Sequence, residues 1–391
     1  MIYVHIPFCR SFCTYCDFYS EIASRCSAGE SQKYERFAKA LSDELSLRAA
    51  EITDEVNTLY IGGGTPSVLP LSVYESLLQS LGEHGYGGPY DEFTIEVNPE
   101  DIVQKGEGYV KALLGLGVNR ISMGVQSFDD GILKWMNRRH DSETARKAYR
   151  ILENAGVRNI SIDLIFGLSQ LSDDQWNETL DKALSISSDG SLPQHISAYQ
   201  LSVEPGSALS QLVERGQWRE ASEELCSRQY EILCRRLREA GYNHYEISNF
   251  AQPGYEAVHN SAYWSHKPYV GLGPGAHSFM VSAYGHEGCD MHIRQWNESD
   301  LGQYIKAGQN GNFTMVQGSE VLTQEQLVME RVMLGLRTAK GVSEEFLRAN
   351  CDISQIDEAL LCGNLVASED GRIRIPEERF FISDSIISSI I

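Results

Sequence analysis

The chain has 391 residues, more than one ordinary core, with 42% hydrophobic and 22% charged residues; these values fit a soluble globular protein of two or three domains and exclude a disordered or fibrous one. Against 33 Lys and Arg stand 54 Asp and Glu, and the resulting net charge of −21 repels phosphate backbones, so no nucleic acid partner is expected. No apolar run reaches the eighteen or so residues that cross a bilayer, and the opening MIYVHIP lacks an export leader, so a cytoplasmic protein without an integral membrane segment is the expectation.

In chain order, six short β-rich runs alternate with helical stretches: 2–6 (IYVHI), 56–62 (VNTLYIG), 92–97 (EFTIEV), 120–125 (RISMGV), 159–165 (NISIDLI) and 195–201 (HISAYQL). The segments 31–48, 71–81 and 129–154 between them carry helical periodicity, with Ser31 and Asp129 as N-caps. Such alternation predicts parallel βα units with right-handed crossovers. Six units fall short of an eight-stranded closure, so an α/β fold is expected: a partial (β/α)6 TIM-like barrel over residues 1–205, its chemistry on the loops at the C-terminal strand ends.

After Pro205 the alternation fades into a mixed α/β extension, 206–315, rich in Gly, Tyr, Trp and His. Residues 316–391 read as a mostly helical, winged-helix-like C-terminal domain: a helix from Thr323 that ends at Gly341 as C-cap, two short helical patterns, and a hairpin turning at Asp370-Gly371. Its acidic setting favours interaction or lid duty over DNA binding. The closing FFISDSIISSII reads as a helix end packed on a domain.

Nine cysteines without an export leader read as reduced thiols. Cys26, Cys226, Cys234, Cys289, Cys351 and Cys362 are expected to be buried small hydrophobes. Cys9, Cys13 and Cys16 are different, because they crowd the loop directly after the first strand. A closed zinc site wants four ligands, and three thiolates with an open position are uncommon for catalytic zinc. A [4Fe-4S] cube offers one iron to each ligand, so three cysteines leave one iron open. A zinc knuckle remains the alternative.

The spacing CxxxCxxC, followed by GGGTP (62–66) after the second strand, resembles the radical S-adenosylmethionine (SAM) superfamily. That resemblance implies a [4Fe-4S] cluster on Cys9, Cys13 and Cys16 whose open iron is chelated by the amino and carboxylate groups of SAM. It also implies an electron donor such as a flavodoxin or ferredoxin, since an electron passed to the sulfonium breaks its C–S bond. Gly63, Gly64 and Thr65 allow close backbone approach to such a ligand. Within the superfamily the motifs match the branch of coproporphyrinogen III dehydrogenases and HemW-type heme chaperones. By that resemblance Tyr3, Tyr15, Glu96, Gln126, Arg138, Asp163 and Ala198 contact SAM, with Glu96 and Asp163 suited to ribose hydroxyls or the cationic part and Arg138 to its carboxylate.

Two features separate the branches. The dehydrogenases, which are oxygen-independent oxidases forming protoporphyrinogen IX, carry a further cysteine two residues after the third, and this chain has Phe18 there. HNSAYW (259–264) fits the HNxxYW pattern that the chaperone branch associates with heme, with His259 as a candidate axial ligand and His277 as a weaker one. The sequence therefore points to a radical SAM heme chaperone delivering heme to recipient hemoproteins, with no catalytic residue assigned. The oxidase and a zinc-bearing interaction protein are the competing readings.

Overall fold

Each β-rich run forms a strand, and a helix returns the chain so that the next strand lies parallel beside it. In this computed structural model, which describes all residues except 24–27, 54 and 283–289, the strands are β1 (Ile2–Ile6), β2 (Thr58–Gly63), β3 (Glu92–Val97), β4 (Arg120–Gln126), β5 (Ile160–Phe166) and β6 (His195–Gln200). They pair in sequence order, all parallel. The helices between them are α1 (Ala28–Arg48), α2 (Leu71–Glu83), α3 (Pro99–Gly115), α4 (Asp130–Trp135), α5 (Ser142–Ala155) and α6 (Asp173–Leu184).

The barrel sheet is wider than six strands. After α7 (Ala208–Glu214) and α8 (Glu223–Glu239) come β7 (Asn243–Glu246) and β8 (Asn249–Ala251), then α9 (Val258–Trp264) and β9 (Val270–Leu272). β9 pairs parallel with β1, while β8 runs antiparallel to β6 and carries β7 outside it, giving nine strands. The mixed extension is thus continuous with the barrel sheet at both edges. Beyond it, β10 (His277–Ser282), β11 (Met291–Asn297) and β12 (Gln317–Val321) form a separate antiparallel sheet, with α10 (Leu301–Asn310) between the last two.

The C-terminal region has the expected order: α11 (Gln324–Leu336), β13 (Val342–Ser343), α12 (Glu344–Asn350), α13 (Ile353–Leu361), then the hairpin β14 (Val366–Ala367) and β15 (Arg372–Arg374). The closing segment forms α14 (Ser383–Ile390), which buries Ile386, Ile387 and Ile390. Thr323 caps α11, but the helix stops at Leu336 and not at Gly341. Its chain leaves the helix to bond the barrel edge, with Ile247 N–H donating to Arg337 O (3.0 Å) and Ala339 N–H to Tyr245 O (3.0 Å). Gly341 (φ +67°) belongs to the next turn, where a Cβ would stand 2.2 Å from Ile373 O.

Two further boundaries differ from expectation. α1 begins at Ala28, so Ser31 lies inside it and is not its cap. The stretch 129–154 is two helices, because Asn137 takes φ +59° and Asp141 caps a second start through Thr144 N–H (2.8 Å), as Asp129 caps the first through Ile132 N–H (2.9 Å). Of the outlying thiols, Cys226 and Cys234 are buried, Cys351 is partly so, and Cys362 is exposed where α13 ends at the surface. Cys26 and Cys289 lie outside the described residues. Among the described residues no helix is long and apolar enough to cross a membrane.

Strand alternation gives the barrel two unlike faces. Toward the helices point Leu59, Ile61, Phe93, Ile95, Ile121, Met123, Ile162, Leu164 and Ile196, all essentially inaccessible to water. Toward the interior point Thr58, Tyr60, Thr94, Glu96, Arg120, Ser122, Ser161, Asp163, His195 and Ser197. This polar inner face is unusual for a parallel sheet, whose strands ordinarily read as continuous apolar runs. Helix α9 closes its lower end: the Glu92 carboxylate accepts from the Val258 (2.7 Å) and His259 (3.3 Å) amides, and α11 packs behind α9. The apolar outer face carries the stability. Leu164→Ala is expected to cost about 2–5 kcal/mol, lowering the urea midpoint of unfolding while the far-UV circular dichroism of the folded state stays unchanged.

Candidate functional site

After β1 the chain forms a short parallel ladder, Phe8–Cys9 against Glu21–Ile22, that closes the cysteine loop on itself. The end of β2 grips the start of this loop: Gly64 N–H donates to Ile6 O (2.8 Å) and Thr65 N–H to Phe8 O (2.7 Å). The segment between α4 and α5 grips its middle. Thr14 donates its N–H to Met136 O (3.1 Å) and its hydroxyl to Trp135 O (2.9 Å), and Asn137 Nδ2 donates to Phe12 O (2.6 Å).

So held, Cys9, Cys13 and Cys16 all line one cavity of about 800 Å³ at the C-terminal ends of the strands. Burial pushes the Cys9 and Cys16 thiols up, Cys16 to about 12. Thiolates crowded into such a site are stabilised by a bound metal group, which deprotonates its ligands. Among the described residues no three His, Cys, Asp or Glu side chains converge on a single ion. Three thiols suit a cube, which gives each thiolate its own iron and leaves one open, whereas a structural zinc wants four ligands.

Most of the residues expected around SAM meet in this cavity: Tyr15, Gly63, Gly64, Thr65, Glu96, Gln126, Arg138 and Asp163 all line it. Gly63 takes φ +105°, and a Cβ on Gly64 would stand 2.9 Å from the Ile6 and Phe8 carbonyls and 3.1 Å from Cys9 Sγ. These glycines are thus required first by the cysteine loop. Gln126 sits at a bulge in β4 with φ +68°, a strained conformation of the kind that clusters at functional sites. At the same bulge Gly124 makes room for Arg138, whose Nη2 donates to Gly124 O (2.6 Å) and Asn98 Oδ1 (2.7 Å) while Nη1 approaches Cys13 Sγ (3.5 Å).

Glu96 accepts from Tyr60 Oη (2.7 Å) and Gly63 N–H (3.1 Å), and its burial pushes the carboxyl up to about 7. Asp163 is raised by burial in the same way and accepts from the Ser122 hydroxyl at 3.1 Å. Both acids can accept from hydroxyls or lie beside a cation, the roles expected of them.

Four expected residues stand elsewhere. Tyr3 lies below the cavity with its hydroxyl on His5 Nδ1 (3.0 Å). Ala198 points toward the helices, because alternation turns its neighbours Ser197 and Tyr199 inward. His259 is fully buried beneath the floor, with Nδ1 on the Thr58 hydroxyl (2.8 Å) and Nε2 on that of Tyr263 (3.1 Å). Burial pushes its imidazole down to about 3. Both ring nitrogens are therefore engaged, and in this conformation neither faces the cavity as a free ligand. The exposed His277 stacks on Trp296 at the start of β10, also away from the cavity.

Sequence reading missed Tyr60, Asn98, Arg120, Ser122, Ser197, Tyr199 and Asn260, which line the cavity as well. For most of them the signal was present as polar residues at every second strand position.

A barrel of parallel strands with three thiols beside a strand-end glycine turn defines a radical SAM protein, and the Radical SAM superfamily sequence model matches residues 3–183. The heme chaperone HemW of Lactococcus lactis subsp. lactis (strain IL1403) is 32% identical over 100% of this chain and 96% of its own length. That of Bacillus subtilis (strain 168) is 32% identical over 88% of this chain and 84% of its own. The mitochondrial radical S-adenosyl methionine domain-containing protein 1 of Danio rerio is 30% identical over 100% and 86%. Within the superfamily, the chain belongs to the HemW family of heme chaperones. The coproporphyrinogen III oxidase HemN of Escherichia coli, 21% identical, shares the fold with a TM-score of 0.78 over 99% of this chain and 89% of its own.

The raised Glu96 gives a prediction for the cofactor-free protein. Its folded-state value of about 7 exceeds the ordinary 4.5, so the folded state holds a proton that the unfolded state releases, and stability falls as pH rises through that window. Glu96→Gln removes this slope. Its thermal midpoint relative to wild type is expected to be higher at pH 8 than at pH 5, by several degrees.

Proposed function

We propose that this chain is a radical SAM heme carrier that holds a [4Fe-4S] cluster on Cys9, Cys13 and Cys16, binds SAM beside it, and passes heme to recipient hemoproteins. One observation carries the reading: three thiols face one cavity, and none of the other described cysteines does. The cluster supplies electron transfer to SAM when both are bound. The chain's own residues orient the ligand: Arg138, fixed by Asn98 and Gly124, presents a guanidinium beside Cys13, and Glu96 and Asp163 present acceptors across the cavity. Gly63, Gly64 and Thr65 leave backbone exposed to it, with Gln126 and Tyr15 closing the sides.

Heme as cargo is supported by the heme chaperones to which this chain is similar over most of its length. His259 contributes by fixing α9 under the barrel. To ligate iron it must first give up Thr58 or Tyr263. Phe18, 65% exposed at the cavity mouth, offers no metal ligand where the oxidase branch places a cysteine. An electron donor such as a flavodoxin or ferredoxin completes the reading.

Anaerobic reconstitution is expected to yield about four irons and four sulfides per chain and no zinc. Cys13→Ser is expected to lose the cluster while keeping the wild-type circular dichroism. Titration with heme should give a saturable Soret band, and the loaded protein should convert an apo-hemoprotein to its holo form. Zinc in place of iron, or rapid conversion of coproporphyrinogen III to protoporphyrinogen IX with no heme transfer, would contradict the assignment.

A further inference from the structure

The left-handed backbone at Gln126 (φ +68°) falls where β4 bulges and where the side chain of this residue joins the cavity wall. A non-glycine residue keeps such a conformation only where its surroundings over-determine it. The side chain lies back over Gly124, where a Cβ would stand 2.8 Å from Gln126 Nε2 and 3.4 Å from Arg138 Nη2. Carboxamide and guanidinium thus sit side by side, and the carbonyls beneath them decide where each points.

Both carbonyls are bonded by one short segment, residues 138–140, between α4 and α5. Arg138 Nη2 donates to Gly124 O (2.6 Å), and His140 Nε2 donates to Val125 O (3.0 Å), the last carbonyl before Gln126. A carbonyl only accepts, so this ring nitrogen carries a proton. The other, Nδ1, faces the Glu100 carboxylate of α3 at 3.4 Å, and Arg139 approaches the same acid at 3.8 Å. An acid behind the ring fixes which way the imidazole points. Val125 O also accepts from Ser127 N–H (2.9 Å), so the bulge is gripped from its own strand and from outside it. The His140 side chain is wholly buried and forms no part of the cavity wall. Whatever it does for a ligand, it does through the bulge.

Resting on the SAM reading above, we propose that His140 is a positioning residue for SAM: its bond to Val125 O, with Glu100 orienting the ring, holds the bulge in the conformation that aims the Gln126 carboxamide into the cavity beside Arg138.

The test is the SAM affinity of the reconstituted protein, read from the change that SAM causes in the electron paramagnetic resonance spectrum of the reduced cluster. His140→Leu is expected to weaken SAM about tenfold, with iron content and the spectrum without SAM unchanged. His140→Gln, whose amide nitrogen replaces Nε2 as donor to Val125 O, is expected to stay within about threefold of wild type. Gln126→Ala removes the group being aimed, so in that background His140→Leu is expected to cost no more than about twofold further. A histidine that only supports the fold would lower the iron content and the thermal midpoint, and its loss would add in full to that of Gln126. Full additivity, unchanged SAM affinity in His140→Leu, or a His140→Gln that binds no better than His140→Leu overturns the proposal and leaves the SAM site standing. No SAM binding by wild type with an intact cluster sinks the SAM reading itself. Should His140→Leu fail to fold, Glu100→Gln takes its place, with an expected loss of about threefold alone and none in the Gln126→Ala background; equal loss in both overturns the proposal.

Discussion

Two backbone hydrogen bonds, from Gly64 to Ile6 and from Thr65 to Phe8, set the geometry on which the site rests. They join the end of β2 to the first residues after β1, so the cysteine loop is fastened before it reaches Cys13 and Cys16. Only glycine fits at position 64, because any side chain would collide with two carbonyls and the Cys9 sulfur. The second fastening, from Thr14 to Trp135 O and from Asn137 back to Phe12 O, ties the loop to the segment where the helical stretch between α4 and α5 is interrupted. The same interruption delivers Arg138 to Cys13 and to the bulge at Gly124. Loop and guanidinium are parts of one arrangement.

Below the loop, the barrel divides its labour by alternation. Apolar side chains facing the helices supply the burial that holds the fold, and the inner face is free to be polar because almost every group there has a partner. Asp163 rests among serine hydroxyls, Glu96 on Tyr60, His195 between Ser161 and Tyr245, and His259 between Thr58 and Tyr263. Helix α9 seals the bottom and α11 backs it. A buried polar network of this kind is stable only while it is satisfied.

The six strands were legible to within two residues because each is a short β-rich run and the helices between them are periodic. The edge strands β7, β8 and β9 were not, since runs of three or four residues carry too little pattern to separate from loop. The end of α11 was misplaced because the chain is drawn off to Tyr245 and Ile247, a tertiary contact no local signal announces. At the site, the thiols, the glycine turn and the strand-end charges were readable from spacing and family likeness together. His259 illustrates the limit: the motif marks the helix, but only the structure shows that its imidazole is spent on Thr58 and Tyr263 while Asn260 faces the cavity. The inner polar face was present in EFTIEV, RISMGV and HISAYQ as period-two alternation, and it went unread because parallel strands seldom show it.

The central claim is that three thiolates of this chain hold an iron-sulfur cube and leave its fourth iron to SAM. Electron–nuclear double resonance on the reduced, reconstituted protein, with SAM labelled by 17O in its carboxylate and 15N in its amino group, tests this directly. The account predicts hyperfine couplings from both labels, large enough to place them on an iron of the cluster. A well-formed cluster whose spectrum shows neither coupling, with the fourth iron ligated by a side chain of the protein, would contradict it.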